Sequence, residues 1–366
     1  MQLREVKTDT GWKVEIVRDE RSIARLWIVD RQMRIGPCPV FTGGIAGVGT
    51  DGEYRNQGLS RQVIDAAVEL MRREGYDASM LFGIKNFYHK FGFATCFPER
   101  LLYLEVRDAE RAKKQLAVRA MRQADRPQIA RLYNRDHAER TASIVRDRAW
   151  SGFPMGSDFE IDTDTKVVLD KRGKVCGYIV CDKDDERCRT AEIGGQGDAV
   201  FSTILHYLAQ RAVQLRREEI SLSIAVDHPF ARYCRPFGCR DQTRFQHNRG
   251  PMGRIINLLP FFAKILPVLA ERWGPQDRDR TLALRTDIGT CALSWKRGRL
   301  TTSDCAAKDT LSVRVEQDAL MLLAMGYQTA DDLQTQGKLK TSKATLALVS
   351  RLFPLQTAHM SWPDRF

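Results

Sequence analysis

One stretch restricts the fold more than any other. Val40 to Thr50 is apolar and glycine-rich, Leu59 to Glu74 is amphipathic, and Ala78 to Ile84 is apolar again. Leu59, Val63, Ala66, Ala67, Leu70 and Met71 recur at helical spacing on one face, with Arg61, Asp65, Glu69 and Arg72 opposite. Gly75 supplies a stop just past the helix. A strand, a helix and a second strand in this order form a crossover between parallel strands, so the chain must contain an α/β layer. Ahead of it, Trp12 to Val17 and Ile23 to Val29 read as a hairpin about the charged turn Arg18-Asp19-Glu20-Arg21.

The junction between strand and helix, Arg55-Asn56-Gln57-Gly58-Leu59-Ser60, is suited to an anion. The first N–H groups of a helix lack internal partners and the helix dipole adds positive charge. Gly58 removes a Cβ that would hold a phosphate away, and Arg55 can add a charge-assisted bond. A pyrophosphate fits such a cradle. An ordinary helix start with a glycine turn has the same local pattern.

A second region, about 115 to 250, repeats the order. Ala124 to Asn134 reads as a helix, and Lys166 to Leu169 with Val175 to Cys181 as a hairpin. Gly194-Gly195-Gln196-Gly197 precedes a helix bearing Phe201, Leu205, Leu208, Ala212 and Leu215 on one face, and Ile220 to Val226 is the next strand. Tyr233 to Cys239 then stands where Tyr88 to Phe93 stands in the first half. The repetition implies a tandem duplication. The third region, about 252 to 366, has successive strands at 281–285, 290–296, 299–305 and 309–315, followed by short helices, an α+β pattern.

Two elements, V-G-T-D-G-E-Y-R-N-Q-G-L-S and L-F-G-I-K-N-F-Y-H-K-F-G-F, give this order a specific resemblance to the GNAT (Gcn5-related N-acetyltransferase) superfamily. The resemblance implies acetyl-CoA as cosubstrate, with Arg55, Asn56, Gln57, Gly58, Leu59 and Ser60 around its pyrophosphate. It implies that Val48, Gly49 and Thr50 meet the pantetheine arm through their backbone, that Asn86 lies beside that arm or the acetyl group, and that Tyr88 is the general acid. A packed aromatic beside Phe87 and Phe91 is the other reading of Tyr88. The whole chain resembles the Eis (enhanced intracellular survival) family: two GNAT-like α/β domains, 1–112 and a degenerate 113–250, followed by a sterol-carrier-protein-like α+β domain, 251–366. Leu311 to Gly337 with Leu352-Phe353-Pro354 carry the last resemblance. In that family the terminal carboxylate serves as base, which points to Phe366; a frayed terminus is the alternative. A homo-oligomer is also implied.

Two departures stand out. The strand and two helices that usually precede the hairpin are expected to be missing, which removes the wall of the acceptor site. In the second copy Gly194 replaces the arginine and Asp198 follows the glycine, so no CoA is expected there.

Composition narrows the partners. The net charge is +12, but its basic residues are dispersed, which fits a solvated surface with a pocket for a phosphorylated ligand better than a nucleic-acid face. No apolar run approaches the roughly 20 residues of a membrane helix. The start M-Q-L-R-E-V-K lacks the apolar core of a secretion signal. Nine scattered cysteines without metal-ligand spacing read as reduced thiols in the cytoplasm, with no metal. The expected activity is acetyl transfer to a primary amine, on a small polyamine, an aminoglycoside-like molecule or a lysine side chain. A non-catalytic CoA- or lipid-binding scaffold on the same fold is the competing expectation.

Overall fold

The structure, a computed structural model, describes residues 1–147, 150, 163–182, 188–274, 279–305 and 310–366. They form two compact units. One comprises Met1–Phe97, Gln246–Ala358 and Phe366; the other comprises Pro98–Phe245 and His359–Arg365.

The first stretch of the chain lays down Gln2–Thr8 (β1), Gly11–Arg18 (β2), Arg21–Ile35 (β3), Cys38–Thr50 (β4), Leu59–Arg73 (α1), Ala78–Gly83 (β5) and Ala94–Thr95 (β6). The expected crossover is present: β4 and β5 pair in parallel, from Thr42↔Ala78 to Ile45↔Leu81. The apolar face of α1 covers the sheet, with Val63, Ala67, Leu70 and Met71 buried against Ile28, Ile45 and Leu81. One expectation needs correction. A strand does precede the hairpin, since β1 pairs antiparallel with β2 along its whole length. It joins β2 through Asp9 and Thr10 alone, so no helix lies between them.

The middle stretch contributes Glu99–Glu105 (β7), Val106–Ala109 (α2), Ala117–Ala120 (β8), Arg126–Asp136 (α3), Thr163–Leu169 (β9), Val175–Asp182 (β10), Arg189–Gly195 (β11), Asp198–Gln214 (α4), Glu219–Leu222 (β12), Pro229–Cys234 (α5) and Arg240–Arg244 (β13). The last stretch contributes Gly250–Ile255 (β14), Leu258–Trp273 (α6), Arg280–Thr286 (β15), Gly289–Lys296 (β16), Arg299–Ser303 (β17), Leu311–Val315 (β18), Gln317–Ala324 (α7), Ala330–Thr335 (α8), Leu339–Lys340 (β19) and Lys343–Leu352 (α9). Asp309, where the fourth strand of this region was expected to begin, lies outside the described residues.

Two seven-stranded sheets result, in the orders β1-β2-β3-β4-β5-β14-β6 and β13-β7-β12-β11-β10-β9-β8, with a five-stranded sheet, β17-β16-β15-β18-β19. The larger sheets repeat one layout and show two tandem GNAT-like α/β halves. β14 is inserted between β5 and β6, and β7 between β12 and β13. Among the described residues no helix is long and apolar enough to cross a membrane.

The second unit is built round a buried charge cluster. Arg146 donates to both oxygens of Glu192 at 2.7 Å and to both of Asp364 at 3.1 and 2.9 Å. The Tyr178 hydroxyl donates to Glu192 at 2.6 Å, and the guanidinium lies 3.6 Å from the centre of the Tyr133 ring. His137, His228 and His359 are buried in the same unit, and burial, reinforced by Arg140, holds His228 down at about 4.

Removing the guanidinium leaves two carboxylates buried without their counter-ion. Arg146→Met is expected to cost about 3–5 kcal/mol, read from the urea midpoint. The histidines make the same unit acid-sensitive. Unfolded histidine takes up its proton near 6.5 and folded His228 near 4, so the unfolded chain binds more protons in between. Stability is expected to fall as pH drops through that window, and His228→Gln is expected to flatten the fall in a pH series of urea titrations.

Candidate active site

The site begins where β4 leaves its neighbour. Pairing with β5 stops at Ile45↔Leu81, yet β4 runs on to Thr50, so its backbone on that side is left without a strand partner. On the other side the register against β3 passes from Trp27↔Ala46 to Arg25↔Gly49, which puts one extra residue in β4. Gly47 lies in this bulge at φ +54, and a Cβ there would come within 2.6 Å of the Trp27 ring. Only glycine fits. Val48, Gly49 and Thr50 follow, half-buried, with groups that an extended amide-bearing arm can pair with.

The loop beyond is shaped for an anion. Asn56 and Gly58 are both left-handed, at φ 61 and 76, and α1 starts at Leu59 with no side-chain cap and no acidic residue in its first turn. Among the described residues no side chain caps the first amides of α1. Arg55, Asn56 and Gln57 are exposed beside them. The Thr50 and Ser60 hydroxyls share a hydrogen bond at 2.8 Å, which ties the end of β4 to the start of α1. These residues fit a diphosphate.

Asn86 and Tyr88 follow β5. Asn86 is exposed and left-handed at φ 58, its N–H donating to the Asn248 carbonyl at 2.9 Å. Tyr88 opens a short 3-10 turn, Tyr88–Phe91, and is 8% exposed. It stands edge-on to Phe87 and Phe93, in space that Gly83 leaves free: a Cβ on Gly83 would meet the ring at 2.7 Å. Burial pushes its hydroxyl up to about 12, so it stays protonated and able to donate. Among the described residues none hydrogen-bonds that hydroxyl.

Phe366 packs on the same strands. A Cβ on Gly44 would lie 2.6 Å from its ring, and the ring meets Phe82 of β5 edge-on with centroids 6.0 Å apart. The structure thus places the last residue over β4, one residue before its pairing with β5 ends. Gly44, Trp27 and Gly83 are the residues that sequence reasoning did not resolve one by one. The glycine-rich strand was the available signal, since adjacent glycines inside a strand mark close approach on both faces.

The strands of the second half part as well, but its own side chains fill the space between them. β11 pairs with β12 only at Arg189↔Ser221 and Thr190↔Leu222. A Cβ on Gly194 would strike the Tyr178 ring at 2.1 Å. The Gly195 N–H donates to one oxygen of Asp136 at 2.9 Å, and Gln196 Nε2 to the other at 3.2 Å. Asp198 sits in the first turn of α4, and Tyr233 packs against Phe201, Phe230 and Phe237. Among the described residues no cluster of three or more His, Cys, Asp or Glu is arranged to hold a metal ion.

Comparison with known proteins fits this geometry. Residues 1–96 match the acetyltransferase (GNAT) domain family and residues 281–361 the sterol carrier protein domain family. The protein is an N-acyltransferase by class, with a GNAT domain at its start and a sterol carrier protein domain towards its end. Its architecture is similar to that of a probable N-acyltransferase from Enterococcus faecalis V583, with a TM-score of 0.78 at 15% identity, covering 97% of this chain and 89% of the other. A GCN5-related N-acetyltransferase from Anabaena variabilis gives 0.76 at 19%, covering 97% and 89%. Eis1 from Mycobacterium abscessus gives 0.65 at 14%, covering 99% and 92%. At these identities the likeness is one of fold. No curated protein matches the sequence significantly.

Loss of one charge-assisted bond to a phosphate weakens binding by roughly tenfold or more. Arg55→Ala is expected to weaken CoA by that factor in calorimetry, and Gly58→Asp, which sets a carboxylate at the helix start, to abolish the heat.

Proposed function

We propose that the protein transfers an acetyl group from acetyl-CoA to a primary amine by direct attack on the thioester. The parting of β4 from β5 beside an uncapped helix start carries this reading, because it offers an open backbone edge and an anion cradle in sequence. CoA lies with its diphosphate on Arg55 to Ser60 and its pantetheine arm along Val48 to Thr50. The amine nitrogen attacks the thioester carbon, and the N–H of Val48 stabilises the oxyanion. As the C–S bond breaks, sulfur gains the basicity of a thiolate and takes its proton from Tyr88. The nitrogen sheds a proton to the α-carboxylate of Phe366, held by its ring on Gly44 and Phe82.

The acceptor is a polyamine, an aminoglycoside-like amine or a lysine side chain. It approaches an uncovered sheet face. β1 and β2 join without helices, and Trp27 lies there between Lys13 and Arg25, with Glu15 beside Lys13. The second half binds no CoA, since Asp136 already occupies its Gly195 amide. Nine cysteines scattered without metal-ligand spacing suit a reducing cytoplasm. The open edge of β1, with Leu3 and Val6 exposed, suits a homo-oligomer. The absent helices also favour a second reading, a CoA-binding scaffold without turnover.

Mixing the protein with acetyl-CoA and an amine panel and following free thiol decides between them. Turnover is expected, with Tyr88→Phe slower by about a hundredfold or more and CoA affinity unchanged. The rate is expected to hold on the alkaline side to about pH 10, because the Tyr88 hydroxyl is still protonated there. CoA binding with no thiol release for any amine supports the scaffold.

A further inference from the structure

The 3-10 turn that carries Tyr88 is four residues long and leaves its last carbonyls without internal partners. Their partners come from far along the chain. Arg254, on β14, donates from Nη1 to the Phe91 carbonyl. Gln317, the first residue of α7, donates from Nε2 to the Gly92 carbonyl at 2.6 Å. Its Oε1 accepts the N–H of Ile255 at 3.1 Å, and its own N–H donates to Asp287 Oδ1 at 2.6 Å. The side chain is 2% exposed and both ends of its amide are engaged, which fixes its rotamer. Gly92 is left-handed at φ +72, and a Cβ there would fall 2.7 Å from Gln317 Nε2, so a side chain at 92 would push the amide out of place.

The duplicated half supplies an internal comparison. There Gly238 is also left-handed, and the Phe237 carbonyl likewise takes an arginine, Arg111, at 3.0 Å. A Cβ on Gly238 would meet nothing nearer than Asp108 at 4.0 Å. The counterpart turn, whose Tyr233 is packed among aromatics, keeps the arginine and, among the described residues, has no glutamine brace.

We infer that Gln317 is a positioning residue for Tyr88: the sterol carrier protein domain braces the turn that aims the acid at the leaving sulfur. The inference rests on Tyr88 being that acid. A proton donor must be held to a fraction of an ångström, and a displacement of about 1 Å costs up to a hundredfold in rate.

The test is a double-mutant cycle in the full-length protein, with Gln317→Leu, Tyr88→Phe and both together. Thiol release is followed at saturating acetyl-CoA with the fastest amine of the panel, and CoA binding by calorimetry. Gln317→Leu is expected to lower kcat about tenfold or more with CoA affinity within about twofold, and to cause no further loss once Tyr88 is phenylalanine. An unchanged kcat in folded Gln317→Leu, or the same loss in both backgrounds, overturns the inference. Should the leucine variant not fold, Arg254→Lys, which withdraws the other brace, is read in the same cycle against the same two outcomes. Tyr88→Phe at full rate overturns the reading of the acid and this inference with it. Tyr88→Phe slow and Gln317→Leu at full rate overturns this inference alone.

Discussion

The site depends on two parallel strands that stop pairing. Up to Ile45 and Leu81 the groups of β4 and β5 satisfy one another; beyond, β4 keeps only β3. Unpaired strand backbone is costly when buried, so a fold that leaves it must present it to water or to a ligand. Three features sustain the parting. Gly47 kinks β4 over Trp27. α1 receives the strand end through the Thr50–Ser60 hydrogen bond. β14 pairs with the far edge of β5 as far as Gly83, so β5 stays anchored while it loses β4.

Much of this was legible where local chemistry and one periodicity agreed. The crossover from β4 through α1 to β5 follows from a glycine-rich apolar run, a helical stripe and a second apolar run, and its ends fall within a few residues of expectation. β1 was not legible, because the apolar residues of Gln2 to Thr8, Leu3 and Val6, are three apart and fall on opposite faces, both largely in solvent. The insertion of β14 was hidden for another reason. Gly250 to Ile255, with two glycines and a proline, carries no strand signal of its own, and its pairing is set by residues more than a hundred positions away. Gln317 looked like an ordinary helix start. Its importance lies in what its amide meets, which only the folded chain displays.

The duplicated halves show one chain path used in two ways. In the first, the helix start is uncapped and free of carboxylates. In the second, Asp136 takes the Gly195 amide and Arg146 gathers Glu192 and Asp364. A buried cation balanced by two carboxylates is a stable arrangement only when complete. The second half has thus exchanged an opening for an internal charge network, and Asp364 joins that network from the segment His359–Arg365 of the same unit.

The place of β14 has a consequence for how the protein is made. When the first 97 residues have left the ribosome, β5 has one bare edge, and β6 has no strand at all to pair with. Both wait until residue 255 is translated. At bacterial or eukaryotic elongation rates of about 5–20 residues per second, that delay is on the order of ten seconds or more. Throughout it the nascent chain carries an apolar strand with an unpaired border, the kind of surface that chaperones cover and that seeds aggregation when they do not. The portion that carries the parted strands precedes β14 in the chain, yet is among the last to close.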